Sequence, residues 1–126
     1  MAYVENSELS QLAGDINGRR HSVVRDISQV VKKGAVNIKR DARAKIQAQT
    51  RGKYTSQYPS TIDFDMVDDL SAEIGPRARG QGNLGHLFEY GSPMSGSMPH
   101  LNPALDEEIP RFVKAVGDVV ERISPK

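Results

Sequence analysis

The sequence predicts an α+β fold: a small antiparallel β-sheet of three to four strands, packed by a long N-terminal helix and a C-terminal helix. Three observations carry this. Apolar residues recur every three or four positions from Val23 to Ile46, Thr61 to Val67 alternates strictly between apolar and polar, and helical spacing returns after Asn102. Helices flanking a short meander can cover one face of its sheet, which is the layered arrangement of this class.

Residues 1–18 are predicted as a short helix, with Leu9, Leu12, Ala13 and Ile16 on one face. Asn17-Gly18 should end or bend it, because glycine readily takes the left-handed capping conformation. Residues 19–50 form a long basic helix whose stripe is Val23, Ile27, Val30, Val31, Gly34, Ile38, Ala42 and Ile46. Gly34 costs about 1 kcal/mol against alanine there, and its place on the stripe predicts a second backbone passing close.

The stretch from Thr50 to Ser60 turns polar and reads as a loop. Residues 60–90 are assigned to the sheet. Ile62, Phe64 and Met66 share one side of the first strand, with Asp63 and Asp65 on the other. Leu70, Ala72 and Ile74 repeat the alternation after an Asp68-Asp69 turn, so a hairpin is expected, ending at Gly75-Pro76. Arg77 to Gly82 is a basic, glycine-rich loop, and Leu84 to Tyr90 is long enough for a third strand or a single helical turn. Residues 91–101 form an extended tether. The last helix, 102–123, takes Asn102 as N-cap and Pro103 at its first position, then Asp106, Glu107 and Glu108 near the positive end of the helix dipole. Leu105, Ile109, Phe112, Val116, Val119 or Val120, and Ile123 form its predicted buried stripe. Pro110 removes a backbone donor, so a kink or restart is expected.

With 126 residues and few aromatics, the chain has room for one domain with a small core, which oligomerisation would help to stabilise. The absence of cysteine excludes a disulfide framework and thiol-ligated metals. No run approaches the roughly 18 apolar residues of a membrane span, and the N-terminus has no signal-peptide core, so a soluble protein without membrane contact is expected. Net charge is +1 overall but unevenly placed. Arg19 to Lys53 holds eleven bases and two acids, whereas Asp63 to Glu73 holds five acids and no base. Such a dipolar subunit can pack head-to-tail with copies of itself or turn one face to a polyanion. Lys32, Lys33, Lys39, Arg40, Arg43, Lys45, Arg77 and Arg79 are the candidates, facing either a DNA lumen or an acidic neighbour.

Chemistry is poorly represented. Gly80-Gln81-Gly82-Asn83-Leu84-Gly85 fits the dinucleotide-binding glycine pattern, but that mechanism needs a buried strand before it and a long helix after it. Arg77-Ala78-Arg79 precedes the glycines and Gly91-Ser92-Pro93 breaks the chain soon after, so a loop is the better reading. His21, His86 and His100 lack metal-ligand spacing and read as surface or packing residues. Asp63/Asp65 and Asp68/Asp69 have no apolar pocket to raise a pKa. No catalytic residue, cofactor or metal is expected. The tether is the strongest functional candidate. Its prolines, glycines and serines exclude it from the core, yet Met94 and Met98 are soft apolar side chains suited to an adaptable contact. Met94, Met98, Pro99, His100 and Leu101 are therefore expected at a subunit or partner interface.

Four pieces in order, Ile74-Gly75-Pro76, then Gly82 to Ser92, then Pro99 to Leu105, then Phe112 in a closing helix, resemble a family of small structural proteins from long-tailed bacteriophages. These are the tail-completion or tail-to-head joining proteins of the siphophage neck. The run Phe88-Glu89-Tyr90-Gly91-Ser92, followed by Pro99 to Ala104, weighs most. The resemblance covers about Val23 to Ile123. It departs before the first strand, where many members carry a Pro-x-x-Thr-Gly-x-Leu run and this chain has Thr50-Arg51-Gly52-Lys53-Tyr54 and Gln57-Tyr58-Pro59. It implies a non-enzymatic virion subunit, assembled in the host cytoplasm, forming a sixfold ring at the head–tail junction. There it would contact other neck and tail proteins and surround passing DNA. The alternatives are a tail terminator capping the tail tube, or a sequence-independent basic DNA-binding protein.

Overall fold

The computed structural model describes residues 6–49, 57–78, 80–93 and 96–123, with the side chains of 6–9, 12, 13, 15, 16 and 123 outside that description. The described residues form, in order, helix α1 (Asn6–Gln49), a helical turn α2 (Tyr58–Thr61), strands β1 (Ile62–Asp68) and β2 (Ser71–Pro76), a 3-10 turn (Gly80–Leu84), a short helix α3 (Gly85–Tyr90) and helix α4 (Leu101–Ile123). The α+β class holds, with the sheet reduced to two antiparallel strands. The segment predicted as a third strand or a helical turn is helical, so the sheet does not extend to residue 90.

The break predicted at Asn17-Gly18 does not occur. α1 runs unbroken for 44 residues, about 66 Å at 1.5 Å per residue. One glycine costs about 1 kcal/mol in a helix interior, while each residue of an established helix adds a hydrogen bond, so propagation carries through it. α4 lies antiparallel along the C-terminal part of α1, with Lys45 bonded to Glu107 and Asp41 to Arg111, and with Val30 and Lys33 near Asp118 and Arg122. Positions 17–21 of α1 are exposed.

The hairpin packs on α1 in the register Ile62↔Pro76, Phe64↔Ile74, Met66↔Ala72, with an irregularity between Met66 and Asp68. Asp68 Oδ1 accepts the Leu70 amide at 2.8 Å and so closes the turn. The core is small: Ile38, Ala42 and Ile46 from α1, Tyr58 from α2, Ile62 from β1 and Ala104 from α4, with Ile74, Phe88, Met98 and Leu101 packed around them.

Two expectations for α4 change. It passes through Pro110 as one helix. Pro110 and Asp106 are both exposed, so water can serve the carbonyl that lost its donor. The buried face is also rotated from the predicted stripe: Ala104 and Glu108 are buried and Leu105 and Ile109 exposed, while of the predicted alternatives Val119 is the buried one, Val120 is exposed, and Phe112 is half-buried. Small Ala104 allows close approach to α1, and Glu108 is drawn in because its Oε1 accepts the Asn37 amide at 3.1 Å and its Oε2 lies 3.0 Å from Arg111. Gly34 meets side chains there rather than a backbone: a Cβ would lie 3.6 Å from Phe112 and 3.8 Å from Glu108.

Candidate functional site

Met98, Pro99 and His100, which lead into α4, are bonded within the chain itself, which corrects the expectation that they are held by a partner. His100 is fully buried. Its Nδ1 lies 2.9 Å from the Met98 carbonyl and 3.2 Å from Glu89 Oε1, both of which can only accept, so Nδ1 carries a proton, and Nε2 shares a hydrogen bond with the Tyr58 hydroxyl at 2.8 Å. Burial pushes the Tyr58 hydroxyl up to about 12, aided by the nearby Glu89 charge, so it keeps its proton at neutral pH. Tyr58 also meets Phe88 and His100 edge-on, at centroid distances of 4.6 and 5.3 Å.

Glu89 completes the arrangement. The sequence places Asn102 as the N-cap of α4, but the cap comes from α3. Glu89 Oε1 accepts the amides of His100 and Leu101 at 3.0 and 2.8 Å, and Oε2 accepts that of Asn102 at 3.2 Å. Those are among the amides that a helix start leaves without internal partners. Burial pushes the Glu89 carboxyl up, but the three amides and nearby His100 outweigh it and hold it below the ordinary carboxylate range. A carboxylate, an imidazole and a hydroxyl thus stand in line, all buried. This arrangement locks a strap and gives no substrate access to the imidazole.

The five expected interface residues separate accordingly. Met98 is half-buried against the core, with its amide bonded to the Phe88 carbonyl, and Leu101 packs there too. His100 is enclosed. Pro99 is exposed, and its carbonyl accepts from Gln49 at 2.9 Å. Met94 lies outside the described residues. A strap with little apolar bulk still packs because its polar groups find partners within the chain, a pairing invisible to composition.

The glycine pattern has a steric explanation at each position. Gly80 takes φ +50°, a left-handed value. A Cβ on Gly82 would fall 1.7 Å from the Arg77 carbonyl oxygen, and one on Gly85 would fall 2.5 Å from Pro76 and 3.0 Å from the Tyr58 hydroxyl. The glycines let the chain fold tightly against the end of β2.

The basic candidates are mostly engaged internally. Lys39 bonds Asp63 at 3.0 Å, Lys45 bonds Glu107 at 2.7 Å, and Arg77 forks onto Asp65 at 2.5 and 2.9 Å. The Lys39 hydrogen bond holds the Asp63 carboxyl well below the ordinary range, and that of Arg77 does the same for Asp65. Both carboxylates are therefore poor proton donors at neutral pH. Arg43 donates to the carbonyls of Ile62 and Ser60. Arg40 reaches Asn37 and stays 3.8 Å from Asp41. Lys32 and Lys33 are exposed and make no ion pair with a described residue. Arg79 lies outside the described residues. Among the described residues no group of three His, Asp or Glu could hold a metal ion, and no helix is long and apolar enough to cross a membrane.

The largest feature that the sequence reading missed is on α4. Leu105, Ile109, Val113 and Val120 are 45, 46, 62 and 47% exposed, and half-buried Val116 lies between the last two. Their spacing of three and four puts them on one face. This stripe borders a groove of about 380 Å³ lined by Ile38, Ile74, Tyr90, Leu101 and Leu105, and a smaller one reaching Val31, Ile109 and Phe112. The signal was present in the sequence as an α4 apolar band wider than one packing partner covers. Compared with protein-family models, curated proteins and solved structures, the chain matches none.

Proposed function

We propose that this chain is a non-enzymatic structural subunit of a tailed-phage virion, one copy in a ring at the head–tail junction that completes the tail and joins it to the head. The observation that carries this reading is the exposed stripe Leu105, Ile109, Val113 and Val120. It runs about 22 Å along α4 at 1.5 Å per residue and continues into the groove beside β2. A contiguous apolar surface of this kind marks an interaction site. Full burial of a side chain such as leucine or valine contributes about 1.5–3 kcal/mol; these four are already about half buried, so covering them adds about 3–6 kcal/mol, the scale of a weak contact. The order of motifs, which resembles that of the neck proteins, supports the same reading. The DNA-binding alternative draws less support, because Lys39, Lys45 and Arg77 are paired within the chain.

Electron microscopy of particles produced without this chain tests the role. Unjoined heads beside finished tails are the expected result. Overlong tails would move the assignment to a terminator, and normal virions would overturn the proposal. Ile109→Asp and Val113→Asp should fold normally, by circular dichroism, yet fail to enter particles.

A further inference from the structure

The fold divides the charges of the hairpin between those neutralised within the chain and those left free. Asp63 and Asp65 are taken by Lys39 and Arg77. Asp68 and Asp69 at the tip are exposed and have no ion-pair partner among the described residues. Val67 and Leu70, 60 and 51% exposed, flank them. The bond from the Leu70 amide to Asp68 holds this tip as a preformed knob, apolar at its sides and acidic at its apex.

On the same subunit, α1 and β1 enclose a shallow pocket of about 360 Å³, floored by Val36, Ala44 and Phe64 and rimmed by Lys39, Arg40 and Arg43. No acid lines it. The Arg40 side chain is two-thirds exposed, at 67%. Arg43 spends its donors on neutral carbonyls, which orient the guanidinium without cancelling its charge. Val36 is 41% exposed, so its apolar surface is open to contact.

We propose that this pocket receives the hairpin tip of a second copy, with Leu70 on the Val36–Phe64 floor and Asp69 against Arg40. Charge and apolar surface match on both sides of this contact. A duplex backbone would satisfy the cations but bring no apolar group to the floor. Tip and pocket are different surfaces of one subunit, so the contact is heterologous and runs head-to-tail, closing into a ring where the rotation allows. This inference rests on the assembly reading above and supplies one subunit contact, leaving the α4 stripe for another.

The chain has no cysteine, so Val36→Cys and Leu70→Cys each introduce a unique thiol at an exposed position. The two proteins are mixed, oxidised and run on a denaturing gel. The mixed disulfide should exceed either homodimer. Adding Asp69→Lys to the Leu70→Cys chain should cut it about tenfold, the response to one lost charge pair at roughly 1.4 kcal/mol. Adding Arg40→Glu to the Val36→Cys chain should then restore it. A mixed product at its chance share, or one indifferent to Asp69→Lys, overturns the proposal. So does duplex DNA binding that Arg40→Glu abolishes while no mixed disulfide forms. Particles made without the chain report on the virion role separately: unjoined heads and tails alongside a failed cross-link would remove this contact and leave that role standing.

Discussion

Glu89 gives the sharpest test of how the fold is held. Replacing it by glutamine keeps the shape and one acceptor oxygen but removes the charge that three amides of the α4 start surround. Hydrogen bonds to a charged group contribute about 1.5–3 kcal/mol, and a carboxylate at a partly buried helix N-terminus adds up to about 2 kcal/mol. Three such bonds are not additive, and the glutamine oxygen retains part of them, so a loss of about 2–4 kcal/mol is expected at pH 7. Urea unfolding followed by circular dichroism measures it. The pH dependence fixes the cause. Glu89 has its carboxyl held below the ordinary value of 4.5 when folded. Its contribution is therefore complete above that value and is lost as pH falls through the lower, folded one. Wild type and Glu89→Gln should differ most at neutral pH and converge in acid. A difference below about 0.5 kcal/mol, or one unchanged between neutral and acid pH, would refute the charged-cap account.

Other substitutions probe other parts of the structure. Tyr58→Phe should cost about 1 kcal/mol through the bond to His100. It should also remove an alkaline instability of the wild type, whose hydroxyl is raised from 10.0 to about 12. A raised folded pKa means stability present below pH 10 and lost as pH rises toward 12, visible as a steeper alkaline unfolding limb in wild type than in the variant. Gly34→Ala should stabilise by up to about 1 kcal/mol, since its Cβ meets Phe112 and Glu108 at ordinary contact distance; thermal melting reads this. Gly82→Ala should destabilise strongly, because the added atom would overlap the Arg77 carbonyl, and a melting temperature at or above wild type would contradict that steric assignment. Met98→Asp, which the sequence alone would place at an exposed contact, should instead lower the urea midpoint, because Met98 packs against the core.

Some elements were legible because their signals are local. The alternation of Ile62, Phe64 and Met66 sets a half-buried strand, and the two aspartates after it set a turn. The stripe from Gly34 to Ile46 points to the core as its spacing requires. Leu84 to Tyr90 was ambiguous for a physical reason: six or seven residues satisfy either period, and packing against Tyr58 and Pro76 decides. The capping residue was misassigned for a different one. Asn102 satisfies the local rule, but Glu89 lies 13 positions away from it and brings a full charge to the same amides. Composition marks the tether as solvated and says nothing of the buried carboxylate and hydroxyl that its polar atoms meet.

The chain's own order of residues determined the class: two amphipathic helices around a hairpin, an uneven charge distribution, and no thiol chemistry. Periodicity and composition act over a few neighbours, so they survive without knowledge of the fold. Tertiary structure alone decided which face of α4 is buried, because an apolar band wider than its partner can rotate until small Ala104 and hydrogen-bonded Glu108 seat against α1. It also decided that the strap before α4 packs on its own chain, since burying His100 becomes favourable only when Tyr58 and the Met98 carbonyl meet its ring atoms and Glu89 takes its backbone amide.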